Sequence, residues 1–254
     1  MKIIMLAGKG NSTKYIYNGV SENYEIDKVL LTDTPSKKIL VKRRAKKLGY
    51  LKVFDQLLFQ FFILKFLKII TSKKLVERLD ELKLKNTPIP INKIIAVGKV
   101  NSSQTIESIK NLNPDVILVN GTAIILSKVL ESTEAIFINS HVGITPQYRG
   151  VHGGYWALRN NDQENFGVTV HVVDKGIDTG SIIYQETTQV KKEDNFLTYP
   201  LYQYALAIPL LKKSLRDIEN ENFRTFKKDK DKSKLYYHPG VSKYITGVIL
   251  KGIK

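Results

Sequence analysis

The sequence predicts an α/β fold: a Rossmann-like, mostly parallel sheet with helices on both faces, antiparallel strands at its C-terminal side, and a basic helical insertion. Three observations carry this. Residues 1–140 alternate short β-branched apolar runs with segments of helical spacing, the signature of strand–helix–strand crossovers. After residue 160 two runs alternate apolar and polar residues around a Gly-rich turn, which predicts antiparallel pairing. Between the first strands lies a stretch dense in Lys and Arg.

The elements follow in order. KIIMLAG is a first strand, closed by the turn GKGNST, and Tyr15, Ile16 and Val20 then recur at helical spacing. YEIDKVLLT is a second strand, ended by DTPSKK. The runs at 94–100 and 114–121 are short buried-type strands. The helix between them, SQTIESIKNL, has Ser102 or Ser103 as its N-cap. EAIFINSH is a further strand. FGVTVHVV and SIIYQETTQV are the alternating pair, joined by DKGIDTG. A long helix over 199–220 is expected to start or kink at Pro200 and Pro209. KKDKDKSK, residues 227–234, reads as a solvated charge run. The expected organisation is one domain over 1–226 with a helical insertion at 36–90, and a C-terminal tail at 227–254.

Composition excludes several classes. No cysteine is present among the 254 residues, so disulfides, thiolate metal sites and Cys nucleophiles are ruled out. The four histidines, at 141, 152, 171 and 238, are scattered, and no metal site is expected. MKIIMLAGKG stops at glycines too early for a signal peptide, which predicts a cytoplasmic protein. The formal charge of +16 is concentrated: residues 36–85 hold 15 Lys/Arg against 4 Asp/Glu, a local +11. That marks a local feature and makes a general nucleic-acid coat an unfavoured reading.

The stretch FINSHVGITPQYRGVHGGYW carries the chemistry. Residues i and i+2 of a strand share a face, so Asn139 and His141 aim together at the carboxyl end of a parallel strand, where open α/β sheets bind ligands. An amide donor beside a proton-carrying imidazole suits a carbonyl oxygen that becomes an oxyanion. Asp178, in the turn GIDTG, supplies a group to orient and charge the imidazole, with Gly176 and Gly180 allowing close approach. Taken alone, N-x-H at a strand end is more often a hydrogen-bonded turn, and D-x-G an ordinary one.

The full constellation resembles the folate-dependent formyltransferase family. The matching positions are Asn139-Ser140-His141, the loop Pro146 to His152, Thr169-Val170-His171-Val172-Val173, Asp178-Thr179-Gly180 and Ile182-Ile183-Tyr184-Gln185, dense over 115–186. The resemblance implies a catalytic domain with Asn139, His141 and Asp178 as its trio, and 10-formyltetrahydrofolate as cosubstrate. It places Ile125 and Leu126, from NGTAIILS, with Asp174, Gly176 and Ile177, from DKGID, around the pterin. For Ile125 and Leu126 plain core packing is the competing use. His171, on an alternating strand, is expected to be structural.

For the acceptor amine, Gly10, Asn11 and Ser12 stand where glycine amides and a helix N-terminus make an anion site, although an ordinary capped turn uses the same residues. By resemblance this matches the substrate-phosphate loop of the glycinamide ribonucleotide branch. Arg149 and His152 are further candidates for binding the acceptor, and Tyr148 and Trp156 for lining or core. That branch places an acid in its late helix where this chain reads Gln203-Tyr204-Ala205. The chain is also shorter than the methionyl-tRNA branch and shows no recognisable C-terminal tRNA-binding domain. A nucleotide-linked amino sugar is therefore the expected acceptor, with glycinamide ribonucleotide the alternative. Tyr199, Tyr202 and Tyr204 are read as a helix-to-core stripe before any stacking role.

Residues 36–85 admit two uses. One is a pair of helices packed on the sheet or on a second subunit in a homodimer. The other is an interfacial helix on an anionic membrane, at the inner face. A non-enzymatic nucleic-acid- or membrane-binding protein is the rival class, and it leaves Asn139, His141 and Asp178 unexplained.

Overall fold

The computed structural model of the chain describes residues 1–229 and 232–254. In order it comprises β1 (Ile3–Ala7), α1 (Asn11–Val20), β2 (Ile26–Thr32), α2 (Lys37–Leu48), α3 (Tyr50–Leu58), α4 (Leu64–Glu81), β3 (Ile94–Gly98), α5 (Ser103–Leu112), β4 (Val116–Asn120), α6 (Ser127–Leu130), β5 (Ile136–His141), β6 (Arg149–Gly150), α7 (Gly153–Arg159), β7 (Gly167–Val172), β8 (Ile182–Thr187), α8 (Tyr199–Glu219), β9 (Leu235–Tyr236) and α9 (Val241–Lys251).

Seven strands form one sheet in the order β3-β2-β1-β4-β5-β7-β8. The first five in that order run parallel, and β7 and β8 are antiparallel, as the change of sequence pattern predicts. Both faces are covered, so β1 reads as a continuous apolar run with every residue buried. Ile3, Met5 and Ala7 pack toward Ile16 and Val20 of α1 and Leu211 and Leu215 of α8. Ile4 and Leu6 face the other way, toward Ile109 of α5 and Val129 of α6. Of the two cap candidates for α5, Ser102 holds the position, accepting from the Thr105 backbone N–H at 3.2 Å. α8 is a single helix with Pro200 in its first turn and Pro209 inside it.

Strand order reverses between β1 and β4. The loops leaving these strands touch there: a Cβ on Gly8 would lie 2.3 Å from the Gly121 carbonyl oxygen, so only glycine permits the approach.

The insertion is helical. α3, a π-helical turn at Phe59–Ile63 and α4 run on from one another without a break. Their inner side buries Val53, Gln56, Phe59, Leu67, Thr71 and Arg78. Phe59 and Leu67 join an aromatic cluster with Tyr155, Trp156, Phe196 and Tyr199. Arg78 fixes the far end: its Nε donates to Asp194 Oδ1 at 3.1 Å, and the Tyr202 hydroxyl donates to Asp194 Oδ2 at 2.6 Å. The insertion thus packs against α7 and the start of α8.

Residues 227–254 are more than a tail. Lys230 and Asp231 of the charge run lie outside the described residues, but β9 pairs in parallel with β6, and α9 packs on α3 and the π turn. Apolar spacing of Tyr244 and Val248 was the overlooked signal. Tyr244 is buried, with its ring 5.1 Å from that of Phe59 and 6.4 Å from that of Phe196. Truncation leaves a cavity in this cluster, so Tyr244→Ala is expected to cost about 3 kcal/mol of stability and Tyr244→Phe much less. Urea denaturation of the three proteins checks this.

Candidate active site

The site is built where β5 ends. Antiparallel register sets Asn139 opposite His171 and His141 opposite Thr169, so these four side chains share one face of the sheet. Asn139 Nδ2 lies 3.1 Å from His171 Nε2. His171 Nδ1 donates to the Val172 carbonyl at 2.9 Å. His141 Nδ1 stands 3.4 Å from Asp178 Oδ2, and His171 Nε2 3.7 Å from Asp178 Oδ1. One carboxylate therefore spans two imidazoles.

His141 sits deeper than its place in the sequence predicts. Its side chain is only 5% exposed, and its Nε2 donates to the Tyr148 carbonyl at 2.6 Å. The cause is the chain beyond β5, which curls back over it: a Cβ on Gly143 would lie 2.5 Å from the Tyr148 carbonyl oxygen and 2.8 Å from His141 Nε2. Both nitrogens of His141 face acceptor oxygens, an arrangement that a doubly protonated imidazole satisfies. Asn139 is half-buried and is the more accessible of the two. Thr169 pins the curled segment, donating to the Gly143 carbonyl at 2.8 Å while accepting from the Thr145 N–H at 3.0 Å and from Gln185 at 2.9 Å.

Asp178 adopts a left-handed backbone, φ 50°, a conformation held by its surroundings. Asp174 Oδ1 accepts from the Gly176 N–H at 3.0 Å and the Thr179 hydroxyl at 2.7 Å, closing the loop. A Cβ on Gly180 would fall 1.6 Å from the Val172 carbonyl oxygen, so the loop lies tight against β7. The Gly150 N–H donates to Asp178 Oδ2 at 2.8 Å. Burial pushes the Asp178 carboxyl up, but His141, His171 and the Gly150 N–H together hold it well below the usual carboxylate range.

Other candidates fall in different places. Arg149 is committed: it donates to Ser233 Oγ at 2.8 Å and to the Ile177 carbonyl at 3.1 Å, so it braces the residue before Asp178 and is not free for an acceptor. His152 belongs to another cluster, with its Nε2 2.9 Å from His238 Nδ1 and its ring 4.5 Å from that of Phe196. Its left-handed backbone, φ 59°, starts α7 and accompanies this packing. Burial pushes both imidazoles down, His238 to about 4. Ile125 is buried in the core with Val97 and Val119, whereas Leu126 and its neighbour Ile124 are exposed at the exit of β4. Gly176 is exposed and Ile177 half-buried in the Asp178 loop. Tyr148, Trp156, Tyr199 and Tyr202 are core residues.

Gly10 caps α1 and, like Asn11, is exposed. Ser12 Oγ accepts from Asn120 Nδ2 at 3.0 Å, and the same amide donates to Thr13 Oγ1 at 3.1 Å. Asn120, the last residue of β4, thereby fixes this loop. β1 and β5 are both neighbours of β4, so the α1 loop and the Asn139 cluster lie two strand spacings apart, roughly 10 Å.

His171, expected to be structural, is buried and also stands beside Asn139 and Asp178, a placement the sequence reading did not give it. Its signal was available in T-V-H-x-V: Thr169 and His171 share a face, and a Gly-rich turn returns the chain beside β5.

A doubly wound sheet extended by an antiparallel pair, with an amide, two imidazoles and a carboxylate gathered at the end of β5, defines an α/β protein with a polar cluster at the carboxyl edge of its parallel strands. The family model described as formyl transferase matches residues 1–200, and the chain belongs to that family. The methionyl-tRNA formyltransferase of Clostridioides difficile is 31% identical over 226 residues, which cover 87% of this chain and 60% of that protein. The chain thus spans less than two thirds of that relative. Among solved structures, a sugar N-formyltransferase from Shewanella superposes with TM-score 0.56 at 16% identity over 96% of this chain and 78% of that one. An N-formyltransferase from Helicobacter canadensis, in complex with folinic acid and dTDP-3-aminofucose, gives TM-score 0.56 at 18% identity over 93% and 71%. These superpositions show the shared fold.

Proposed function

We propose that the protein transfers a formyl group from 10-formyltetrahydrofolate to a primary amine. The single observation that carries this is the convergence of Asn139, His141, His171 and Asp178 at the end of β5 in a chain of the formyl transferase family. The acceptor amine adds to the formyl carbon, and the formyl oxygen gains negative charge. Asn139 donates to that oxygen, and a protonated His141, held by Asp178 and exchanging its Tyr148 contact, adds a second donor. Asp178 is ionised throughout the neutral range, and the amine's proton passes through it or through water to the folate nitrogen as the adduct collapses, the bond from the formyl carbon to that nitrogen breaks and tetrahydrofolate leaves. His171 positions Asn139 and Asp178.

The residues fit the cosubstrate. Ile124 and Leu126 offer an exposed apolar edge at the exit of β4. The chemistry supplied by 10-formyltetrahydrofolate is an activated formyl group on nitrogen.

The acceptor is a phosphate-bearing small molecule, foremost a nucleotide-linked amino sugar. The exposed N-terminus of α1 at Gly10 and Asn11 supports an anion there. Tyr204 stands at the late-helix position where that branch has its acid, which disfavours glycinamide ribonucleotide. A second reading, the amine of methionyl-tRNA, is favoured by the relative from Clostridioides difficile and by the basic insertion. Incubation with 10-formyltetrahydrofolate and each of the three acceptors, followed by mass spectrometry, separates them. Formylated amino sugar is expected; formylated methionyl-tRNA alone establishes the second reading, and no formylated amine from any acceptor refutes the proposal.

A further inference from the structure

The insertion buries one side and leaves another apolar side uncovered. Beside the packed stripe of Phe59, Leu67 and Thr71, the opposite arc of the same helical run carries Phe61, Phe62, Phe66, Ile69 and Ile70, each between 51% and 74% exposed. α3 adds Leu51 and Phe54, exposed by 87% and 60%. A solvated helix places polar residues on its outer face, and a helix apolar all round is normally buried. Exposed aromatic side chains of this density mark an interaction site.

Charge decides what covers it. From Lys37 to Val76 the sequence has 12 Lys/Arg and one acid, Asp55. That carboxylate is already bonded by the Ser242 hydroxyl at 2.8 Å. Lys65 and Lys68 are exposed within the apolar arc, and Lys65 Nζ lies 5.8 Å from the centre of the Phe61 ring. Long lysine stems lie along apolar surface while their ammonium groups reach for anions. Among the described residues no helix is long and apolar enough to cross a membrane. Apolar side chains and lysines on one exposed arc fit a helix lying in the plane of an anionic lipid surface.

We infer that the outward face of the insertion docks on an anionic membrane surface, with Phe62, Phe66 and Ile69 entering the headgroup boundary and Lys65 and Lys68 engaging lipid phosphates. This does not depend on the reaction catalysed. The test is flotation of the full chain with vesicles of phosphatidylglycerol and phosphatidylcholine, against phosphatidylcholine alone. Binding is expected only to the anionic vesicles and is expected to weaken with salt. Lys65→Glu and Lys68→Glu should each lower affinity by roughly fivefold or more, and the triple variant Phe62→Ser, Phe66→Ser, Ile69→Ser should abolish it. Unchanged urea midpoints show that the variants fold. The inference is overturned by absence of flotation, by equal binding to neutral vesicles, or by flotation that the variants leave intact. A dimer that forms without lipid and is dissociated by the triple variant also overturns it, because a second copy then covers the face.

Discussion

Asp178→Asn is expected to lower kcat for formyl transfer by about 10²–10⁴-fold, the range a positioned proton-transfer group contributes, with the fold kept. Asparagine is the substitution that isolates charge. It tolerates the left-handed backbone at φ 50° and can still accept the Gly150 N–H. What it removes is the anion between His141 and His171. A second consequence concerns pH. The Asp178 carboxyl is held below its ordinary value in the folded state. Its contribution to stability is therefore fully present above the unfolded carboxyl pKa of ~3.9 and is lost as pH falls from there toward the folded value. Urea midpoints between neutral pH and acid should fall less steeply for Asp178→Asn than for the wild type. Initial rates with saturating acceptor measure the first effect, and an unchanged kcat would remove Asp178 from the chemistry.

Asn139→Ala is the second large effect. Loss of one oxyanion donor costs about 10²–10³ in rate. Asn139 also ties down His171 through the contact at 3.1 Å, so the loss should sit at the upper end of that range. Affinity for the folate should change little, because the contact with the formyl oxygen strengthens only as charge develops. A fall in kcat with KM for the folate nearly constant is the expected split. Loss of folate binding at unchanged kcat would make Asn139 a binding residue instead.

Much of this arrangement was legible in the amino-acid order. The alternation through residue 140 gave the parallel sheet, because buried strands must be apolar on both faces, as β1 is. The i, i+2 spacing of Asn139 and His141 put both on one face, and the register of β5 with β7 keeps them there. What stayed hidden depended on contacts distant in sequence. The curl that buries His141 comes from Gly143, Tyr148 and Gly153 approaching one another, and no local pattern encodes it. Arg149 and His152 look like free polar groups at a cleft mouth, yet one is tied to Ile177 and Ser233, and the other to His238, 86 residues away. Ile125 and Leu126 are adjacent, and the sequence treats them alike; the backbone turns one into the core and the other to solvent. α9 was missed because its anchor, Tyr244, finds its partners in the insertion and in the segment before α8.

His141 offers the most direct test, because its imidazole joins the Tyr148 carbonyl to Asp178 at the centre of the cluster. Rapid-quench measurement of a single turnover, with 10-formyltetrahydrofolate and the acceptor found by screening, compares the wild type with His141→Ala at matched urea stability. The cluster mechanism predicts a transfer rate about 10²–10³-fold lower in the variant. Transfer by His141→Ala at a rate near that of the wild type would contradict it.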